Sequence, residues 1–218
     1  MIPAWADRRE YPFEPRTLDV DGGRLSYVDD GEGAPIVMEL VVHDYGGPIG
    51  LACAIDHPEN VRRLILFNTW MWLWDGDRRM EWFGRILGGP LGRFLYERVG
   101  FSVRVMLRHA IADHRRYTRG IEHHYLKALD GYATWVYARE VLGSSVWYDG
   151  LWRHRDRIAR IPALLIWGMK GRAFGRHLGR WREVFERAEV VELPDCGHAL
   201  TEERAPEALK RLAPFLEP

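Results

Sequence analysis

The stretch Val41-Val42-His43-Asp44-Tyr45-Gly46-Gly47-Pro48-Ile49-Gly50 constrains this chain more than any other. A β-branched apolar run ends at an acid, and small residues then open a helical pattern. Pro48 falls in the first turn, where its missing N–H costs nothing. The pattern predicts a strand, a sharp turn carrying Asp44, and a helix from about Pro48 to His57. The Asp44 carboxylate would face the unpaired N–H groups and the positive end of that helix, which favour its ionised, nucleophilic form. An ordinary aspartate capping the helix is the competing reading of the same residues.

The flanks supply the architecture. Arg16–Val20 and Arg24–Val28 alternate apolar and polar residues about Asp21-Gly22-Gly23, as a β-hairpin does. Pro35–Val42 reads as a buried strand with Glu39 out of place, and Arg63–Asn68 as another. From about Leu73 to Ala159 helical periodicity takes over. Ile161–Trp167 restarts the sheet, a helix follows near Gly179–Ala188, Glu189–Leu193 is the last strand, and Ala205–Leu216 is a closing amphipathic helix. This order predicts an α/β protein whose core comprises residues 1–72 and 159–218, with a helical cap inserted over residues 73–158.

Composition narrows the partners. Lysines plus arginines and aspartates plus glutamates both number 31, a balance that gives no reason to expect nucleic acid or an anionic membrane. Arg104, Arg108, Arg115, Arg116 and Arg119 read as a solvated helix face. The two cysteines, Cys53 and Cys196, cannot form a disulfide framework, and Cys53 reads as a small core residue. The first ten residues carry no apolar signal core, and the apolar run Leu64–Trp74 is about half of the ~20 residues a membrane span needs. A soluble cytoplasmic protein is the expectation. His109, His114, His123 and His124 lack metal-ligand spacing, so no metal is expected.

Near the C-terminus, Asp195-Cys196-Gly197-His198 follows the last strand and precedes the closing helix. A loop histidine there, after Asp44 in chain order, is placed to activate a water; a lone surface histidine is the alternative. On these residues the chain resembles the haloalkane dehalogenases of the α/β-hydrolase superfamily. The likeness runs through Val41–Trp72, through Gly88-Gly-Pro-Leu-Gly-Arg-Phe94, Thr134-Trp135 and Gly143-Ser-Ser145, and through Ile161–Lys170 and Pro194–Pro206. It implies an α/β-hydrolase fold and a small apolar substrate such as an alkyl halide. It also implies that Asp44 forms an alkyl ester, that His198 activates the water that cleaves it, and that no cofactor takes part. The turn alone also fits an epoxide hydrolase.

Three departures from the family pattern stand out. A His-Gly-Asn-Pro-Thr-Trp-type segment, and the helices and strand after it, have no counterpart between Met38 and Glu39. Two βα units, on the order of 60 residues, are absent, and with them an oxyanion-hole group and a halide-holding Asn. The mostly parallel sheet is therefore expected to shrink from eight strands to about six, with the first hairpin moving in beside a fused strand. Glu39, near the junction, should be exposed or paired with an Arg, because a buried lone carboxylate is costly. Secondly, Gly171 follows Lys170 where such enzymes carry the acid that orients the base; losing that acid from a serine-protease triad costs about 10⁴ in rate. Asn68 stands at an alternative acid position and can bond an imidazole without balancing its charge. Asp75 and Asp77 are possible surrogate acids. Thirdly, Tyr45 replaces the halide-binding Trp after the nucleophile.

Tyr45, Asn68, Trp70, Trp72 and Trp135 are the pocket candidates, with core packing the alternative for the tryptophans; Trp147 is a further one. The expected function is a haloalkane dehalogenase-like hydrolase of low activity. An epoxide hydrolase is one alternative, needing two cap tyrosines from among Tyr117, Tyr125, Tyr132 and Tyr137. A catalytically inactive α/β-hydrolase used for binding, or a relic, is the other.

Overall fold

The computed structural model describes residues 14–20, 23–28, 37–73, 78–171 and 174–217. Contacts divide the chain into two units, Met1–Ile36 and Val37–Pro218. In the first, β1 (Pro15–Val20) pairs antiparallel with β2 (Gly23–Val28), Thr17 lying opposite Ser26. Asp21 and Gly22 of the expected turn lie outside the described residues.

The second unit starts with β3 (Met38–Asp44), α1 (Gly46–Asp56) and β4 (Val61–Thr69). Helices α2 (Arg78–Gly88), α3 (Pro90–Phe94), α4 (Arg108–Ala110), α5 (Arg119–Ala128), α6 (Gly131–Gly143) and α7 (Ser145–Arg153) follow. The chain then returns through β5 (Ala163–Gly168), α8 (Leu178–Val184), β6 (Glu189–Leu193) and α9 (Leu200–Leu216). The strands form a parallel sheet in the order β3-β4-β5-β6. Six strands are thus described, but in two sheets: β3 pairs only with β4 among the described residues, and the hairpin is a sheet of its own.

Side chains alternate across a strand, so β4 and β5 each feed two layers. Leu64, Leu66, Leu165 and Trp167 pack with Leu51 and Ile55 of α1, Leu151 of α7 and Trp181 of α8. Ile65, Phe67, Leu164 and Ile166 face the other way, onto Leu200 and Ala208 of α9. Burial on both faces is why these strands read as continuous apolar runs. A separate cluster of Leu87, Tyr96, Trp135 and Ala138 lies among the helices between β4 and β5.

β3 corrects one expectation. Its apolar run suggested a buried strand, yet only Val42 is fully buried and Val41 is 47% exposed. The reason is its place at the edge of the four-stranded sheet. Glu39 lies opposite Arg63 in the ladder and is ion-paired with it, which removes the cost of a lone carboxylate in the strand. Cys53 is likewise corrected: it is exposed on α1. The closing helix begins earlier than its periodicity suggests, at Leu200, and crosses a break at Arg204 (φ −141°, ψ 32°) before Pro206 restarts it.

A buried carboxylate fixes the loop before α9. Glu203 is 1% exposed. Its Oε2 accepts the N–H groups of Ala112 (3.0 Å) and Asp113 (2.9 Å), and its Oε1 accepts that of Gly197 (2.8 Å). The carbonyl of Ala110 accepts the N–H of His198 at 2.7 Å. Gly197 makes this approach possible, since a Cβ there would lie 2.2 Å from the Ala110 oxygen. Replacing Glu203 by Ala strands three donors, one buried and two half-buried, each worth up to roughly 1–3 kcal/mol. Glu203→Ala is expected to lower stability by about 3 kcal/mol or more in urea melts followed by tryptophan fluorescence.

Candidate active site

β3 ends in a residue that ordinary strands avoid. Asp44 has φ +49°, a left-handed conformation that non-glycine residues adopt only when the surroundings impose it. The ladder register to β4 also shifts between His43 and Asp44. The turn is held from β4: the Thr69 hydroxyl donates to the Asp44 carbonyl at 2.6 Å, and the Trp181 indole N–H donates to the Thr69 carbonyl at 2.9 Å. Gly47 is obligatory, because a Cβ there would sit 1.6 Å from the Thr69 hydroxyl oxygen. The N-cap of α1 is Tyr45, with no side-chain cap bond.

The stapled loop before α9 brings His198 to this turn, across 154 positions of sequence. Its Nε2 lies 3.5 Å from Asp44 Oδ1, and both side chains are partly shielded, at 15% and 33% exposure. The other ring nitrogen, Nδ1, is buried and has no hydrogen-bond partner among the described residues. Gly171 runs beside it: a Cβ at that position would lie 3.4 Å from the His198 backbone N and 3.1 Å from Asn68 Nδ2.

The other candidates separate. Tyr45 meets Trp70 edge-on at 5.2 Å and Tyr137 edge-on at 5.4 Å. Trp70 also stacks on Phe174 at 5.1 Å and lies 5.9 Å from Tyr148. Burial, and next the Asp44 carboxylate, push the Tyr45 phenol well above its ordinary pKa. The same two causes raise Tyr137. Burial raises Tyr148 as well, followed by Tyr137 and Asp44. All three phenols are thus held in the protonated form near a common charge, and the buried Tyr148 hydroxyl has no partner among the described residues.

Asn68, expected to face the pocket or the imidazole, is engaged elsewhere. Its Nδ2 donates to the Gly168 carbonyl (2.9 Å) and its Oδ1 accepts the Gly168 N–H (2.7 Å), bracketing β4 to β5. Trp72 is in the core, edge-on to Trp152 at 5.3 Å and covered by the Arg180 guanidinium at 4.7 Å. Trp135 is in the helical cluster, its indole N–H donating to the Leu87 carbonyl at 2.8 Å. Both were pocket candidates because period two and helical spacing do not say which side a face looks to. Asp75 and Asp77 lie outside the described residues. Of the four tyrosines considered for the cap, Tyr117 and Tyr125 are bonded to Glu122 and Glu202, and Tyr132 lies under Arg93. Only Tyr137 of these four is within ring contact of Tyr45 among the described residues.

Four residues near the site escaped sequence reasoning: His43, Tyr148, Phe174 and Glu203. His43 alone had a signal, its adjacency to Asp44. Its ring lies 4.7 Å from that of His198, and its Nε2 donates to the His198 carbonyl at 2.9 Å. Burial, and then the charge His198 can carry, hold His43 below its ordinary pKa; Asp44 opposes this in part.

Comparison with known proteins adds the following. Residues 35–205 match the family described as alpha/beta hydrolase fold. A cis-3-alkyl-4-alkyloxetan-2-one decarboxylase of Shewanella oneidensis is 26% identical over 195 residues, which are 82% of this chain and 59% of that protein. The chain thus spans less than two thirds of that relative. Haloalkane dehalogenase 2 of Mycobacterium tuberculosis is 26% identical over 267 residues, covering 90% of this chain and 93% of the relative. In three dimensions, haloalkane dehalogenase DbeA from Bradyrhizobium elkani USDA94 superposes with a TM-score of 0.68 at 19% identity, over 82% of this chain and 66% of that one.

The depressed His43 pKa has a consequence for stability. The unfolded chain, with an ordinary value near ~6.5, binds more protons than the folded one as pH falls through that range, so folding weakens on acidification. Among the described residues the groups acting on His43 are His198 and Asp44. His43→Gln is expected to lose less stability than wild type between about pH 7 and pH 5. Paired urea melts at the two pH values check this, and equal losses contradict it.

Proposed function

The chain belongs to the α/β-hydrolase family, is haloalkane dehalogenase-like, and we propose that it cleaves a carbon–halogen bond through an alkyl ester on Asp44. The observation that carries the reading is the strained Asp44 at the strand end with His198 Nε2 at 3.5 Å. The carboxylate oxygen attacks the carbon in line, the C–O bond forms, and the C–X bond breaks with halide leaving. Water then adds to the Asp44 carbonyl carbon, its proton passing to His198; the alcohol departs and the carboxylate returns. No base is needed for the first step and one is needed for the second.

The proposed enzyme is a slow one. Position 171 supplies no side chain to His198, whose Nδ1 is buried without a described partner. An acid at that nitrogen fixes the imidazole and stabilises the imidazolium; its loss costs about 10⁴ in the serine-protease case. We also infer an internal deletion between Met38 and Glu39, at the start of β3. Its support is the exposed edge of β3 and an alignment of 267 positions against a chain of 218 residues. The helices of residues 73–158 act in this reading as a cap over the core.

One observation favours a second reading. The phenols of Tyr45, Tyr137 and Tyr148, grouped by the ring contacts of Tyr45 with Tyr137 and of Trp70 with Tyr45 and Tyr148, are suited to donate to an oxygen leaving group rather than to a halide. A strained cyclic C–O substrate, an epoxide or an oxetanone like that in the decarboxylase relative's name, fits them. Attack by Asp44 would open the ring, and a phenol would protonate the released oxygen.

Intact-mass measurement after incubation with a 1-bromoalkane separates these. An alkyl adduct on Asp44 that accumulates in His198→Phe and turns over in wild type supports dehalogenation. An adduct formed from an aliphatic epoxide but not from the bromoalkane supports the second reading, and no adduct with either leaves neither standing. Gly171→Asp is expected to speed ester hydrolysis about tenfold or more, against the ~10⁴ ceiling above; the decay of the Asp44 adduct by intact mass reads it.

A further inference from the structure

His198 is held in an unusual way. A base of this kind is ordinarily steadied through the nitrogen that faces away from the reacting atoms, and here that nitrogen, Nδ1, is buried without a described partner. The imidazole is instead in contact with two rings, His43 at 4.7 Å and 34° and Phe174 at 4.7 Å and 33°. His43 adds a directional bond, its Nε2 lying 2.9 Å from the His198 carbonyl. A carbonyl only accepts, so Nε2 of His43 carries the proton. Burial and the neighbouring imidazole both disfavour a charged His43, so the neutral Nε2–H tautomer is the form that makes this contact.

We propose, building on the reading of Asp44 as nucleophile and His198 as base, that His43 is the positioning residue that holds His198 through its ring face and its backbone carbonyl in place of a side-chain acid. The geometry gives a reason for the two adjacent residues. The register shift between His43 and Asp44 lets one strand end present the carboxylate to Nε2 of the base and the imidazole to the carbonyl of the same residue. Nucleophile and clamp are thus covalently linked, so the bond that holds the stapled His198 and the carboxylate it faces come from the same strand end.

This assigns His43 to one half of the reaction. Alkylation of Asp44 uses no base, whereas hydrolysis of the ester does. Misplacing a catalytic group by about 1 Å can cost on the order of 10²-fold. His43→Ala is therefore expected to form the Asp44 adduct at the wild-type rate and to hydrolyse it roughly ten- to a hundredfold more slowly. His43→Gln, which keeps an N–H donor at similar reach, should recover most of that loss. His43→Phe, which keeps the ring face but no donor, should recover less. Equal slowing of both steps, or no slowing of hydrolysis, would overturn the proposal.

A second measurement stands apart from turnover. In protein carrying ¹⁵N-histidine, long-range ¹H–¹⁵N spectra of wild type should show His43 as the neutral Nε2–H tautomer at neutral pH. The His198 ring signals should move or broaden in His43→Ala while the urea midpoint shows the variant folded. A His43 protonated at Nδ1 instead, or His198 signals unchanged in the folded variant, overturns the proposal. If wild type forms no adduct but the spectra behave as expected, the reading of the reaction fails while the clamp stands.

Discussion

The contact between Gly47 and Thr69 governs this molecule. For α1 to start immediately after β3, its first turn must pass against the end of β4, and there the Thr69 hydroxyl occupies the space a side chain would need. Glycine at 47 admits the helix, and the same hydroxyl then bonds the Asp44 carbonyl. A left-handed φ at Asp44 costs on the order of 1–3 kcal/mol and persists only when neighbours over-determine it. Thr69, Gly47 and the Trp181 indole on the Thr69 carbonyl are those neighbours. The strained turn faces a carboxylate outward past the sheet's C-terminal edge, where parallel α/β sheets place their ligands.

A second constraint brings the remote half of the site in. Glu203 ties three backbone N–H groups from two segments to a single carboxylate, and Gly197 allows those segments to touch. His198 is the next residue, so its position is inherited from this staple. A hydrogen-bonded buried carboxylate is strongly destabilising to break, because removal of one partner leaves the others unsatisfied. The staple and the elbow together explain how a sheet of four described parallel strands holds two groups 3.5 Å apart without a described acid on the base.

Much of this was legible in the residues. The parallel α/β rhythm followed from alternation, apolar runs and turn residues, and β6 was located to the residue. The order Asp44, then His198, each at a strand end, marked the pair. The errors share a cause. The residues suggest Cys53 in the core and the β3 run as a buried strand, and leave Trp72 and Trp135 open between pocket and core; in each case local pattern gives a face but not what lies opposite it. Chain position makes Asn68 a candidate partner for the imidazole, but its amide is bonded to Gly168, 100 residues away. Tyr148 carried no signal at all, since its relation to Asp44 exists only after α7 packs near the sheet.

By itself, then, the sequence determined what depends on neighbours along the chain: the strand, the glycine-lined turn, the carboxylate at its tip and the loop histidine after the last strand. Short-range sterics and backbone hydrogen bonding decide these, and they are written in consecutive residues. Only the tertiary structure decided which groups the carboxylate and the histidine meet. His43 on the His198 carbonyl, Tyr137 against Tyr45, and Gly171 beside the His198 backbone are contacts between segments separated by long stretches of chain. Such contacts depend on how helices and strands stack, and packing is a property of surfaces that periodicity describes one at a time.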